Sequence, residues 1–554
     1  MQSPQAVYTA AGTPGTKGTC SVCGTKMFRM GHTPAHQNLP KPAPAPKAKR
    51  AATKKSRPKA NSRKPKGKLV IVESPAKART IGKFLGRGYT VKASVGHVRD
   101  LLRSQLSVDV ENGFAPKYRV PNEKRPLVKE LTKDVAAAAE VYLATDADRE
   151  GEAIAWHLME ATDMDAGRVR RVVFHEITRE AIEHAFANHR DLNLNRVNAQ
   201  QARRILDRLV GYKISPLLWQ RVRSRTSAGR VQSVALRLIC EREEAIADFT
   251  PQEYWTLDAR LARQSPPAPA AGQEFTAQLV KIKGKKAAIA TEAEAQTVVA
   301  GLKTQTYRVT GVKRGQRRRK SPAPFITSTL QQEASRRLGF GTRRTMRLAQ
   351  QLYEGVELAG GETAGLITYM RTDSTNVAAQ AQAEARALIV ERYGPEFVPP
   401  KPPQHKTRSR RAQEAHEAIR PTDVRRLPAA LKSALSAEQY RLYNLIWLRF
   451  IASQMTEALY QTMRVDITAG PYSLRASGSR LKFAGFLSVY EETAEEDAAP
   501  QEGAGITLPD LAEGEIVDLL NVLPEQHFTQ PPPRYTEASL VKTLEEFGIG
   551  RPST

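Results

Sequence analysis

Cysteine is scarce in this chain, with three in 554 residues. That argues against a disulfide framework and fits a reducing compartment. Long apolar runs are missing too. None approaches the ~18 residues of a spanning helix, and the N-terminus lacks the apolar core of a secretory signal, so no membrane partner is expected. Acidic residues are absent from residues 1–68, where fifteen lysines and arginines stand unopposed. Such a start suggests an organelle transit peptide, but its Lys/Pro richness and paired cysteines argue against one. No Gly-x4-Gly-Lys-Ser/Thr loop, no Gly-x-Gly-x-x-Gly fingerprint and no internal repeat occurs, so nothing predicts a nucleotide-triphosphate site.

What the chain does have is positive charge. The formal net charge is +28, and the part beyond residue 68 still carries +13. A polyanion partner follows, most simply nucleic acid. The length predicts several domains. Residues 40–67 are Lys/Pro/Ala-rich and read as a disordered linker that holds phosphates weakly. Ahead of it, in residues 1–39, Cys20 and Cys23 are followed by His32 and His36. The pattern Cys-x2-Cys-x8-His-x3-His carries the donors of a small Zn²⁺ site, with a shorter Cys-to-His spacing than the usual finger; the competing reading is a disordered tail with two unremarkable cysteines. Cys240 falls in a helical apolar pattern and is expected in a core.

From residue 68 onward, strands and helices alternate. Residues 68–73, 89–93, 141–145 and 169–174 read as strands. Residues 75–85, 128–140, 151–161 and 178–188 read as helices, which predicts a parallel sheet covered by helices. Residues 198–247, 328–355 and 424–458 read as helical, and residues 253–320 and 460–490 as short strands with turns.

Two strand exits carry acid. Glu73 is followed by Ser74-Pro75-Ala76-Lys77, and Thr145 by Asp146-Ala147-Asp148-Arg149-Glu150. In a parallel sheet both exits open on one crevice. Crowded carboxylates need a compensating cation, and all-oxygen ligands favour Mg²⁺. Lys77 and Arg149 could face a phosphate there. The bland alternative is a solvated acidic loop at a helix N-terminus.

A third signal is Tyr369-Met370-Arg371. Tyrosine titrates near ~10 and is a poor nucleophile unless its charged form is stabilised. A guanidinium two residues away is expected to do that while gripping a phosphate. This points to phosphodiester transesterification, against the bland reading of a structural strand end.

These blocks together resemble the bacterial type IA DNA topoisomerases, the topoisomerase I branch. The resemblance is carried by Val72-Glu73-Ser74-Pro75-Ala76-Lys77, Ser94-Val95-Gly96-His97, Asp146-Ala147-Asp148-Arg149-Glu150-Gly151-Glu152 and Tyr369-Met370-Arg371-Thr372-Asp373-Ser374. It extends through Gln200-Gln201-Ala202-Arg203-Arg204-Ile205-Leu206-Asp207-Arg208, Ser227-Ala228-Gly229-Arg230-Val231-Gln232-Ser233 and Ala415-His416-Glu417-Ala418-Ile419-Arg420-Pro421-Thr422.

The resemblance implies a multidomain α/β, α and β protein with a Toprim parallel-sheet domain in a four-domain toroid. Residues 68–192 would be that domain. Residues 193–250 and 526–554 would be a helical single-strand-binding domain, 251–325 and 456–525 a β-rich arch, and 326–455 a helical domain carrying the tyrosine.

It also implies roles. Tyr369 would form a 5′-phosphotyrosine, with Glu73 as proton donor and Lys77 and Arg371 stabilising phosphoryl charge. Glu73, Asp146, Asp148 and Glu150 would hold Mg²⁺. His97, Arg149, Arg203, Asp207, Arg230, Gln232 and His416 would contact DNA. The expected activity is ATP-independent relaxation of negatively supercoiled DNA by a monomer in the bacterial cytoplasm, at the nucleoid. The alternatives are a topoisomerase III-like decatenase, or a truncated chain that binds or cleaves single strands without passage, since the last motif, at 550–554, lies inside a domain that continues further in the family.

Overall fold

A computed structural model of the chain describes residues 2–8, 14–21, 24–40, 67–264, 273–358, 360–405, 417–492 and 505–550. The chain separates into two units, Met1–Arg63 and Lys64–Thr554.

In the first unit, strands Gln2–Tyr8, Pro14–Thr19 and Lys26–Met30 form an antiparallel sheet. This replaces the disordered-tail reading with ordered pairing. Most of the expected linker, residues 41–66, lies outside the described residues.

The second unit is built on a four-stranded parallel sheet in the order Val169–Arg171, Glu140–Leu143, Lys68–Val72, Tyr89–Ala93. The central Lys68–Val72 strand explains how the unit is layered. Alternate side chains of a strand point to opposite faces. Leu69 and Ile71 join Val128, Leu131, Val141, Leu143 and Leu158 in one core. Val70 and Val72 join Ile81, Tyr142 and Ala144 in another, which continues through Leu348, Leu352, Tyr353, Leu366, Ile367 and Tyr369. A continuous apolar run is what a strand covered on both faces requires.

The first core is supplied by helices α2 (Arg125–Ala137) and α3 (Arg149–Thr162). The second uses α1 (Pro75–Leu85) and α4 (Arg179–Ala187). Farther along the chain, α8 (Thr327–Leu338), α9 (Thr342–Glu354) and α10 (Ala379–Tyr393) contribute to it as well. The segment bearing Tyr369 is thus packed in the same core as the sheet.

Between these parts run α5 (Leu194–Arg221) and α6 (Arg230–Ala247). Helix α6 buries none of its residues, and Cys240 on it is exposed rather than in a core. The helical pattern is present, but no partner among the described residues covers that face.

The predicted short strands are long. Strands of 9 to 13 residues, Glu253–Arg263, Glu274–Ile282, Tyr307–Arg319, Ala458–Ala469, Tyr472–Phe483 and Ile516–Phe528, pair into a closed antiparallel ring. Helix α7 (Glu292–Lys303), absent from the sequence reading, packs Ala295, Val299 and Leu302 against that ring. Among the described residues no helix is long and apolar enough to cross a membrane.

Candidate active site

The two acidic strand exits open on one cleft, as the parallel sheet requires. Ser74 caps α1 by accepting from the Lys77 backbone N–H, and Pro75 supplies the first helical turn. The turn aims the Lys77 side chain back under the sheet edge. There Nζ donates to Glu73 Oε1 at 2.6 Å and to Asp146 Oδ1 at 2.8 Å. Lys77 is fully buried, and its ammonium also lies 4.8 Å from the Phe174 ring centroid.

Asp148 caps α3, its Oδ1 accepting from Gly151 N–H at 2.9 Å. Gly151 leaves room for this turn: a Cβ there would come within 2.1 Å of the Asp146 carbonyl oxygen. The other Asp148 oxygen, Oδ2, accepts from Tyr369 Oη at 2.8 Å and lies 3.6 Å from Arg371 Nη1. The Tyr369 backbone N–H donates to His175 O at 2.7 Å, fixing the tyrosine against the end of the sheet. Glu150 accepts from Gln200 Nε2 on α5 at 3.1 Å and lies 3.5 Å from His97 Nε2.

The electrostatics divide the groups. Burial, then the Asp146 charge, push Glu73 up to about 8. Burial opposes charge on Asp146, but the Lys77 ammonium, hydrogen bonds with Glu73 and Lys77 and the Arg371 charge together hold that carboxyl below its usual range. Burial raises Tyr369 well above the ordinary tyrosine value, with Asp146 and Asp148 adding to the rise. Arg371 only partly offsets them. Arg371 thus favours the phenolate as expected, but burial and the nearby carboxylates outweigh it.

The cleft, of about 440 Å³, is lined by Glu73, Asp146, Asp148, Glu150 and Arg371, with Arg347, Gln350 and Glu354 of α9. The four predicted metal carboxylates thus share it. They do not close into a cage: among the described residues no three metal-binding side chains converge. Lys77 sits between two of them, and Asp148 is engaged by Tyr369. The buried Glu73 Oε2 has no hydrogen-bond partner and is left open to a cation once Glu73 has given up its proton.

The other predicted residues are more dispersed. Arg149 opens α3. Arg203 and Asp207 follow Gln200 along α5 and form a 3.8 Å ion pair, and Arg230 Nε reaches Asp207 at 2.8 Å. The sequence had left such a local pairing open. Gln232 is exposed on α6, and His416 lies outside the described residues.

In the N-terminal unit, His36 is buried with Nδ1 near Thr33 Oγ1 (2.8 Å) and Nε2 near Gly15 O (3.0 Å). Both ring nitrogens are taken up in backbone and hydroxyl contacts. Cys20 and His32 are described, Cys23 is not, and no metal cluster forms among the described residues.

Three supporting residues were missed. Arg171, fully buried, donates to the carbonyls of Leu143, Thr145, Asp146 and Val172 and to Glu152 Oε2, and so braces the Asp146 loop from below. Glu152 also receives Arg190 at 2.8 Å. The Val169–Arg171 strand gave a signal: an arginine inside an apolar run has to meet acceptors in the interior.

A parallel-sheet acidic cleft facing a buried tyrosine is an arrangement suited to chemistry on a phosphodiester. The family comparisons are specific. The DNA topoisomerase family profile matches residues 191–554 and the Toprim domain profile residues 68–177; a domain of unknown function matches residues 1–30. Full-length topoisomerase I from Thermotoga maritima is similar at 41% identity and a TM-score of 0.75, covering 88% of this chain and 76% of that one. The chain belongs to the bacterial type IA DNA topoisomerases, topoisomerase I branch. It is an isomerase that relaxes DNA by single-strand cleavage and strand passage.

Proposed function

We propose that Tyr369 is the nucleophile of this reaction and that Glu73 and Asp148 divide its proton traffic. The observation that carries the reading is the 2.8 Å bond from Tyr369 Oη to Asp148, which sets a buried phenol beside the acidic cleft. In the step proposed, Oη bonds to a backbone phosphorus while the bond from phosphorus to the 3′ oxygen breaks. The phenolic proton passes to Asp148. Glu73, pushed up to about 8 and so protonated at neutral pH, gives its proton to the departing 3′ oxygen. The products are a 5′-phosphotyrosine ester and a free 3′-hydroxyl. The ester conserves the energy of the broken bond, so resealing is the reverse step and needs no ATP.

Lys77 and Arg371 stabilise charge on the non-bridging phosphoryl oxygens. Glu73, Asp146, Asp148 and Glu150 are hard oxygen donors of the kind Mg²⁺ takes one or two at a time, alongside water and phosphate. Bound there, Mg²⁺ would neutralise phosphate charge during religation. His97, Arg149 and His416 support the phosphate and the strand geometry. Arg203, Asp207, Arg230 and Gln232 guide a single-stranded segment along α5 and α6. The domain division at 192, 250, 325 and 455, a toroidal arrangement, a monomeric state and a place at the bacterial nucleoid complete the reading.

The test is Tyr369→Phe with negatively supercoiled plasmid, trapped in denaturant. The covalent adduct should vanish while single-strand binding stays near wild type. An adduct that persists would sink the assignment.

A further inference from the structure

Strand passage through a break demands that the two broken ends part. If one end is held on Tyr369, the contacts tying the Tyr369 segment to the sheet have to release and re-form in every cycle. Several are hydrogen bonds that water replaces readily: Tyr369 N–H to His175 O, Gly365 N–H to Ile177 O, and Thr80 Oγ1 to Glu354 O. Two are ion pairs. Arg371 Nη1 lies 3.6 Å from Asp148 Oδ2 within the cleft, whereas Arg420 Nη2 donates to Glu176 Oε2 at 2.9 Å and its guanidinium is buried.

The two ends of this ion pair sit directly behind the tyrosine. Glu176 follows His175, whose carbonyl accepts the Tyr369 N–H. The Arg420 carbonyl accepts from Thr368 N–H at 2.9 Å, and Arg420 N–H donates to Thr368 Oγ1. The arginine also has a second acid on its own side of the seam: Nε donates to Glu417 Oε2 at 2.6 Å, and Nη1 to Pro421 O. This asymmetry decides what opening costs. Losing one partner of a buried ion pair is severe when it strands the other charge in the interior. Here Arg420 keeps Glu417 when the seam parts, and Glu176 moves toward water.

We propose that Arg420 is a reversible latch, shared between Glu176 across the seam and Glu417 on its own side, and that the competition between the two acids sets how readily the cleaved state opens. Arg420 and Glu176 are positioning residues, not catalytic ones. The inference rests on the reading of Tyr369 as nucleophile.

The competition predicts opposite effects from two similar substitutions. Glu176→Gln removes the cross-seam charge and leaves Arg420 compensated. Glu417→Gln removes the competitor and hands the guanidinium to Glu176. In the full chain with Mg²⁺ and supercoiled plasmid, Glu176→Gln should raise the trapped adduct several-fold, because parted ends religate less often. Glu417→Gln should lower the adduct and slow relaxation. A merely structural network would shift both variants the same way, together with their melting temperatures, and that result overturns the latch. So does an adduct level equal in all three proteins. A wild-type adduct that does not depend on Tyr369 would overturn the nucleophile assignment instead. Were Glu176→Gln not to fold, Glu417→Gln alone decides, since more adduct from it refutes the proposal.

Discussion

Lys77→Met tests the electrostatic design of the cleft most directly. Methionine fills a similar volume, so packing against Phe174 is retained and the change is chiefly the loss of one buried ammonium. In the native site that ammonium holds Glu73 and Asp146 together at 2.6 and 2.8 Å. Glu73 is already pushed up to about 8, so at pH 7 it largely carries a proton and costs little more. The penalty therefore falls on Asp146, which loses a charge-assisted hydrogen bond worth about 2–3 kcal/mol. An upper bound is the roughly 5 kcal/mol for stranding a buried charge.

The pH dependence has a definite sign. In the wild type Asp146 is held below its ordinary value, so its contribution is full at neutral pH and is lost as pH falls through the folded value. In Lys77→Met burial loses its main opponent, so the same carboxyl should rise and the variant should gain on the wild type as pH falls. The gap between the proteins should be widest near pH 7 and close toward roughly pH 4. Hydrogen exchange of the peptides spanning 68–73 and 140–146, in EDTA to keep cations out, reads the local opening. A loss of about 2–3 kcal/mol appears as roughly 30- to 150-fold faster exchange at pH 7. Cleavage should fall by about 10²-fold if Lys77 also stabilises phosphoryl charge. A gap that is constant with pH, or that widens on acidification, would refute the reasoning.

Two further changes probe the same loop. Asp146→Ala combined with Asp148→Ala should block relaxation more than cleavage in plasmid assays with Mg²⁺; full relaxation would rule out the carboxylates as the cation site. Gly151→Ala places a Cβ against the Asp146 carbonyl, where neither backbone can yield without moving the start of α3. It should cost about 2–3 kcal/mol in thermal melts and abolish the adduct, and a normal melt with normal cleavage would show that the close approach is dispensable.

Much of this was legible in the chain, for reasons that differ from element to element. The Lys68–Val72 and Glu140–Leu143 strands are short apolar runs between helix caps, and local pattern suffices for them. That their two acidic exits meet follows from parallel pairing, since both point to the same sheet edge. The long strands of the ring were read as short because Arg, Lys and Gln interrupt the apolar alternation in Tyr307–Arg319, where residues 313–318 are exposed. Helix α7 was missed although Thr291 caps it and Ala295, Val299 and Leu302 recur at helical spacing; its alanine-rich sequence carries little apolar contrast. The partners of Arg171, Glu152 and Arg420 were out of reach for a deeper reason. They are backbone groups and charged side chains distant in sequence, which only the folded chain assembles.

The same distinction explains why Arg371 does not by itself set the state of Tyr369. Two residues of sequence separation suggest that Arg371 governs Tyr369, but the phenol donates to Asp148, and Arg371 lies 3.6 Å from that same carboxylate oxygen. The guanidinium is thus partly spent on the acid that receives the phenol, and the tyrosine stays neutral at rest. For an enzyme whose substrate is a polyanion this is favourable. A phenolate would add to the negative charge already lining the cleft and repel the phosphodiester before it could be aligned. A neutral phenol already bonded to its proton acceptor adds no charge on approach and loses its proton only as the bond to phosphorus forms. If Tyr369 is the nucleophile as proposed, its activation is a matter of where the proton goes rather than of a lowered resting pKa, which would place the burden on Asp148 and leave Arg371 to turn toward the phosphate when it arrives.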